Sequence, residues 1–399
     1  MKEKPAIDGG KPIRDNNFLI FGAPDIRQEE INNVIGVLKS GWLSTGPKTK
    51  LFEEKFAEYN GIKYAIGTNS CTAALHLALS ALELPKNSEI ITTDMTFCAT
   101  VNSIIYSGLK PVVVDCDKHT QCIDPDEIEK NITDKTKAII VVHFAGHPCD
   151  MDRIVDIANR YSLYIIADCS HAIETKYNGK SVAEYSDIST YSFYATKNIC
   201  CAEAGMVLTN NKEFANKIRI RSLHGMSRNA HLRYGSSGFK HYSVDMLGFK
   251  YNMTDISAAM GISQLDRIEE GWTRRKYIID TYNNEFCNLP IYMVDYDSSN
   301  IKHGYHLYTV HLNLEALSVD RDFVLNALIL EKIGTGVHYK SIHEHKYYRK
   351  VFGWNTDRFP NSKWISNRTL SLPVAPNLSD NDIADVVSAF KKILTYYRR

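Results

Sequence analysis

The chain has 399 residues, 44% of them hydrophobic and 23% charged, which is the make-up of a soluble globular protein. That length exceeds what one hydrophobic core usually serves, so two domains are expected. Its 47 Lys and Arg against 46 Asp and Glu leave a formal net charge of +1, which gives no electrostatic case for nucleic acid or an anionic membrane. The opening MKEKPAIDGGKPIRD lacks the apolar core of a signal peptide, and no uninterrupted apolar run is long enough to cross a bilayer. Nine scattered cysteines without a CxxC motif read as reduced thiols. The expectation is a cytoplasmic enzyme.

In chain order, helix-period apolar residues appear at Ile31, Val34, Ile35 and Leu38, then at Leu51, Phe52, Phe56 and Tyr59 ahead of Gly61. CTAALHLALSALEL (71–84) predicts a buried helix. Strand-like EIITTD (89–94), PVVVD (111–115), AIIVVHF (138–144) and LYIIAD (163–168) alternate with helical patterns near 99–107, 124–132 and 150–162. Such alternation predicts right-handed crossovers and a mostly parallel sheet, an α/β fold. DISTYSF (187–193) and GMVLTN (205–210) add two strands. The stretch 226–249 breaks the rhythm; a functional loop and a mobile surface insertion fit it equally. A long helical pattern over 254–286 follows, then YHLYTVHLN (305–313), a helix over 320–333 and a final helix opening at Ser379. A domain boundary is placed inside the long helix, giving 1–270 as the large domain and 271–399 as the smaller one.

Asp168 follows the apolar run LYII at a predicted strand end, where a carboxylate is costly without a cationic partner. A helix cap or a solvated turn explains it equally well by position alone. Lys197 lies 29 positions later, in a polar turn after the strand-like TYSFY; taken singly it is a surface lysine. Ser192 stands five residues before it, and His171 three after Asp168. In GTNSCTAALHLAL the amides of Thr72 and Ala73 fall at a helix start, a place suited to a phosphate. Phe97 follows another strand, where core packing is the plainer explanation. Together the groups match what pyridoxal phosphate (PLP) requires: an amine for a Schiff base, a carboxylate for the ring nitrogen, and donors for the phosphate.

The order and wording of these segments closely resemble the DegT/DnrJ/StrS-type sugar aminotransferases, of the fold type I (aspartate aminotransferase-like) PLP enzymes. The likeness runs through SGWLSTGPKTKLFEEKFAEY (40–59), NSCTAALHLAL (69–79), TFCATVNSIIYSGLKPVVVD (96–115), HFAGHPCDMD (143–152), ADCSHAIET (167–175), SFYATKN (192–198) and YNMTDISAAMGISQL (251–265). It implies a large domain with a mostly parallel sheet and a smaller C-terminal α/β domain. Thr72, Ala73 and Ser192 would hold the phosphate, Phe97 would stack on the ring, Asp168 would bind its nitrogen, and Lys197 would carry the cofactor as a Schiff base. Asn252 would reach the phosphate of a neighbouring subunit's cofactor, making a homodimer with shared sites. GTGVHYKSIHEHKYY (334–348) looks most like enzymes aminating UDP-linked 4-keto sugars, with His338 and Tyr339 near the sugar nucleotide.

The resemblance thus implies transfer of an amino group, by family habit from L-glutamate, to a UDP-4-keto sugar for an amino sugar of cell-surface polysaccharide or lipopolysaccharide. No nucleic acid, membrane or metal partner is implied. Arg228, with Arg221, Arg233, Lys240 and His338, is a candidate for the sugar nucleotide's diphosphate, though surface solvation explains each singly. Two departures stand out: the turn after the lysine reads CAEAGM, less glycine-rich than usual, and His171 sits where relatives often carry glutamine. Lysine at 197 argues against the dehydratase branch, which has histidine. An eliminating or aromatizing PLP enzyme and a non-catalytic PLP-binding regulator are the alternatives.

Overall fold

A computed structural model of the chain describes residues 3–15, 17–226, 243–294 and 299–399. Helices α1 (Gln28–Ser40) and α2 (Pro47–Asn60) precede strand β1 (Tyr64–Thr68). Helix α3 (Cys71–Leu82), β2 (Glu89–Thr93), α4 (Cys98–Tyr106), β3 (Lys110–Val114), α5 (Pro125–Lys130), β4 (Thr136–Val142), α6 (Met151–Tyr161) and β5 (Tyr164–Asp168) then alternate as the periodicity predicts. A short hairpin, β6 (Lys176–Tyr177) and β7 (Lys180–Ser181), leads to β8 (Ile188–Ser192), β9 (Gly205–Thr209) and α7 (Lys212–Arg221).

The main sheet has seven strands in the order β1-β9-β8-β5-β4-β2-β3. Strand β9 is antiparallel to both neighbours and the other pairs are parallel, so six strands point one way. Alternate residues of a strand face opposite sides, and here both sides are covered. On β4, Ile139 and Val141 pack with Phe52, Phe56, Ile154 and Ile262, while Ala138 and Ile140 pack with Leu75, Leu79, Ile104 and Ile218. That two-sided burial is why these strands read as continuous apolar runs. It also leaves the carboxyl ends of the parallel strands, Thr68, Thr93, Val142, Asp168 and Ser192, along one open edge.

The helix predicted over 254–286 is two helices, α8 (Asp255–Asp266) and α9 (Ile268–Phe286). The chain breaks at Arg267, whose guanidinium is drawn to buried Glu30 and to the Asp25 carbonyl. Asp255, at the start of α8, accepts from the amides of Gly46, Lys48 and Thr49 and from the Thr49 hydroxyl, so one carboxylate caps α2 from another helix. Beyond α9 come β10 (Ile291–Met293), β11 (Ile301–Lys302), β12 (Tyr308–Leu312), α10 (Arg321–Leu330), α11 (Lys346–Phe352), α12 (Pro360–Arg368), β13 (Thr369–Leu372) and α13 (Asp380–Tyr396). Strands β10, β12 and β13 form a separate antiparallel sheet. Its core joins Tyr308 and Val310 to Ile278 and Phe286 of α9 and to Ile383, Val386, Phe390 and Leu394 along one face of α13.

One apolar stripe points the other way. Ile31 is 45% exposed and Leu38 54%, with Ile35 and Trp42 also open, and within α1 only Glu30 and Val37 are buried. The 3.6-residue period correctly marks a helix, but its apolar face turns away from this chain's core.

Candidate active site

A cavity of about 520 Å³ opens beyond the carboxyl ends of the parallel strands, where open α/β sheets place their ligands. Asp168, the last residue of β5, is buried in its wall. Its Oδ1 accepts from the Ser170 amide at 3.1 Å and the Ser170 hydroxyl at 2.5 Å, and its Oδ2 from Thr100 Oγ1 at 2.9 Å. Three donors around one carboxylate fix its direction.

Lys197 lies in the turn after β8 and lines the same cavity. The turn is tied by the Lys197 amide donating to the Tyr194 carbonyl at 2.8 Å. Gln264 of α8 closes it from behind, accepting from the Cys200 amide at 2.7 Å and donating to the Cys200 carbonyl at 2.8 Å. Burial pushes the Lys197 amine down to about 8, and the negative charge of Asp168 opposes that push. The lysine is therefore a half-buried group with a larger unprotonated fraction near neutral pH than a solvated surface ammonium has.

At the start of α3 the Ser70 hydroxyl caps the helix by accepting from the Ala73 amide at 3.1 Å. Ala73 thus differs from the sequence expectation: its amide is already used and its side chain is buried, while Ser70, Cys71 and Thr72 line the cavity. The amide of Thr72 lies ahead of the first intrahelical bond, where donors are left for an anion. Ser192, at the end of β8, brings its hydroxyl to the same wall. Gly205 explains how these segments approach each other. A Cβ there would sit 2.6 Å from the Ser70 carbonyl carbon and 2.7 Å from the Cys71 nitrogen, so a larger residue would force β9 and the α3 start apart.

Phe97 is 57% exposed and lines the cavity mouth, with its ring 5.9 Å from that of Tyr339; it is not a core residue. His171 accepts at Nδ1 from the Ala145 amide at 3.2 Å, so its proton is on Nε2, which donates to the Tyr339 hydroxyl 3.1 Å away. Burial, reinforced by Lys197, holds this imidazole well below the usual histidine range, hence neutral. His338 pairs through Nδ1 with the Ser371 hydroxyl at 2.8 Å and is pushed down to about 4 by burial. Both His338 and Tyr339 line the cavity from the C-terminal part of the chain.

Not every expected residue meets here. Asn252 faces away, donating to Thr45 Oγ1 at 2.7 Å and bridging Thr68, outside the cavity of its own chain. Arg221 is engaged with Ser80 and Glu83 on the α3 side. Arg228, Arg233 and Lys240 lie outside the described residues. Conversely, the structure adds Ser70, Thr100, Ser170, Tyr194 and His306, which the sequence reading did not single out. Thr100 lies in the first turn of α4, whose extended N-cap residue is Phe97, and only the fold brings it to Asp168.

The donor set fits PLP. A pyridine nitrogen needs an anion, which Asp168 supplies already oriented. An aldehyde needs an unprotonated amine, which Lys197 offers, and a phosphate needs the amide and hydroxyl found at Thr72 and Ser192. Fold and site together define a PLP-dependent enzyme of fold type I, an aminotransferase-like α/β protein. The DegT/DnrJ/EryC1/StrS aminotransferase family model matches residues 24–391, and the chain belongs to that family. PLP is the cofactor of this fold and family. The spore coat polysaccharide biosynthesis protein SpsC of Bacillus subtilis is 42% identical over 95% of this chain and 98% of its own. PseC of Helicobacter pylori, an aminotransferase involved in the biosynthesis of pseudoaminic acid, superposes with a TM-score of 0.89 at 28% identity, covering 96% of this chain and all of that one. The PLP-form of Spr1654 from Streptococcus pneumoniae gives 0.87 at 30% identity, over 96% and 100%.

Proposed function

We propose that this aminotransferase moves an amino group from L-glutamate to the keto carbon of a UDP-linked 4-keto sugar, making an amino sugar for a cell-surface polysaccharide. The observation that carries the reading is a low-pKa lysine and a triply hydrogen-bonded aspartate in one cavity, which His338 and Tyr339 also line. The names of the Bacillus subtilis and Helicobacter pylori relatives, both in sugar biosynthesis, support the substrate class. Nine free thiols, seven of them buried, and no helix among the described residues long and apolar enough to cross a membrane suit work in the cytoplasm.

In this reading Asp168 anchors the cofactor's ring nitrogen, while Ser192 and the Thr72 amide hold its phosphate. Phe97 covers one ring face, and His171 stands by the ring's oxygen. When bound, the cofactor supplies an aldehyde that carries nitrogen between substrates and a protonated ring that draws electrons from the reacting carbon. Asp168 keeps that ring protonated, because an anion beside a pyridinium favours the charged form. Lys197 Nζ, with its depressed pKa, removes the proton at the donor's α-carbon and returns a proton at the sugar carbon. His338 and Tyr339 position the sugar end. Asn252 serves the site of a second copy, and the open apolar stripe of α1 with Trp42 supports such a homodimer.

Holoenzyme given L-glutamate should lose the visible band of its lysine-bound cofactor, and a UDP-linked 4-keto sugar should restore it with net gain of an amine on the sugar. Loss of water from the sugar would indicate an eliminating enzyme, and a band indifferent to every amino donor a non-catalytic binder. Lys197→Ala should abolish turnover while PLP stays bound noncovalently. Retained turnover would remove Lys197 from the role.

A further inference from the structure

Asn198, the residue after Lys197, stands at the centre of a buried polar chain. Its Nδ2 donates to the two carboxylate oxygens of Glu174, at 3.1 and 2.8 Å, and to the Gly304 carbonyl at 3.1 Å. A backbone carbonyl only accepts, so the amide's orientation is settled and Oδ1 is left as an acceptor. That oxygen lies 2.9 Å from His306 Nδ1, which must therefore carry the imidazole proton and donate it. Glu174 is paired in turn with Arg275, and the two are 0% and 2% exposed. An ion pair sealed this deeply costs desolvation, and orienting Asn198 is a function that offsets it.

His306 is fixed on its other sides as well. Its backbone amide donates to the Ala145 carbonyl at 3.1 Å, and its ring stacks on His171 with centroids 4.5 Å apart and 28° between planes. It lines the cavity together with Lys197, His338 and Tyr339. Burial, with the nearby Lys197 charge, holds the ring well below the usual histidine range, so it stays neutral. With Nδ1–H engaged, Nε2 carries a lone pair, and among the described residues no protein group donates to it. His171 has no such pair to offer, because its Nδ1 already takes the Ala145 amide.

We propose that His306 is a specificity-determining residue whose Nε2 accepts a hydrogen bond from a hydroxyl of the sugar substrate, with Asn198 and Glu174 as the positioning residues that set its tautomer. This rests on a keto sugar being the amino acceptor. The chemistry selects the donor: a keto oxygen only accepts and cannot satisfy Nε2, whereas a hydroxyl beside it can. A neutral acceptor held in one orientation rejects a sugar lacking that hydroxyl, since Nε2 would then be desolvated and unpaired.

Two measurements test it. In enzyme labelled with ¹⁵N-histidine and freed of cofactor, long-range ¹H–¹⁵N spectra should show His306 with Nδ1 protonated and Nε2 as the lone-pair nitrogen. The signal is assigned by its loss in His306→Gln, and Asn198→Leu should release the ring into a mixture of tautomers. In holoenzyme the two half-reactions are then timed separately, first with L-glutamate and then with a UDP-linked N-acetylated 6-deoxy-4-keto hexose. His306→Phe should lower kcat/KM for the sugar about tenfold, the scale of one lost hydrogen bond. It should leave the glutamate step within about twofold, and His306→Gln, which keeps an acceptor at a similar reach, should restore most of the loss. An Nε2–H tautomer in the wild type, equal slowing of both half-reactions, or unchanged sugar kinetics in His306→Phe would overturn the proposal. A wild type that leaves the sugar unaltered overturns the functional reading and this proposal together.

Discussion

The depressed pKa of Lys197 can be measured without any substrate. An ordinary lysine at 10.5 has about 0.03% of its amine unprotonated at pH 7, whereas one at about 8 has about 9%, roughly 300-fold more. Cyanate attacks only the neutral amine, so carbamylation of cofactor-free enzyme, read at the Lys197 peptide by mass spectrometry, should rise with pH through a midpoint near 8. Peptides carrying solvated surface lysines in the same sample are internal controls, reacting as free lysine does. The cause can be tested in the same assay. Burial lowers the pKa while Asp168 raises it, so Asp168→Asn should move the midpoint below 8, making the lysine more reactive at pH 7 even as catalysis fails. A Lys197 midpoint near 10.5, or one that climbs in Asp168→Asn, would refute the assignment of burial as the dominant force.

Three further outcomes are expected. Asp168→Asn should lower transamination by roughly 10²-fold or more, the scale of removing a preorganised charge from a site, and stopped-flow of the glutamate half-reaction reads it. If Asn252 serves a partner's cofactor, mixing Lys197→Ala with Asn252→Ala chains should regenerate activity at about a quarter of wild type, because half the dimers then hold one intact site. No recovery on subunit exchange would place Asn252 in its own chain's site. Arg275→Met leaves Glu174 buried without its cation and should cost about 3–5 kcal/mol in urea unfolding, whereas a loss under 1 kcal/mol would mean the pair is not the anchor described above.

The chemistry-bearing strand ends were the legible part of this sequence. Asp168 and Ser192 close apolar runs whose burial on both faces forces a period-free pattern, so the carboxyl edge of the sheet could be found without coordinates. What surrounds them was not legible, because it comes from distant segments. His306 and Asn198 are 108 positions apart, and nothing local in YHLYTVHLN marks its first histidine as a cavity residue. The stripe of α1 misleads in another way: periodicity reports that a face is apolar, not whether its cover comes from the same chain. Ala73 shows the limit at a single atom. A helix start offers several amides, and which one remains free depends on the capping hydroxyl of Ser70, three residues away.

Asp255 carries a consequence for assembly. Its four accepted hydrogen bonds anchor the α8 start to residues 46–49, three positions beyond Asn252, which is itself tied to Thr45. In the proposed homodimer, the group offered to a neighbour would thus be braced by bonds inside its own chain. Two copies that share their sites would meet as finished surfaces, docking as rigid bodies rather than ordering one another on contact. Association of that kind forgoes the entropy cost of folding upon binding, so separated chains would keep each half of the site poised for reunion.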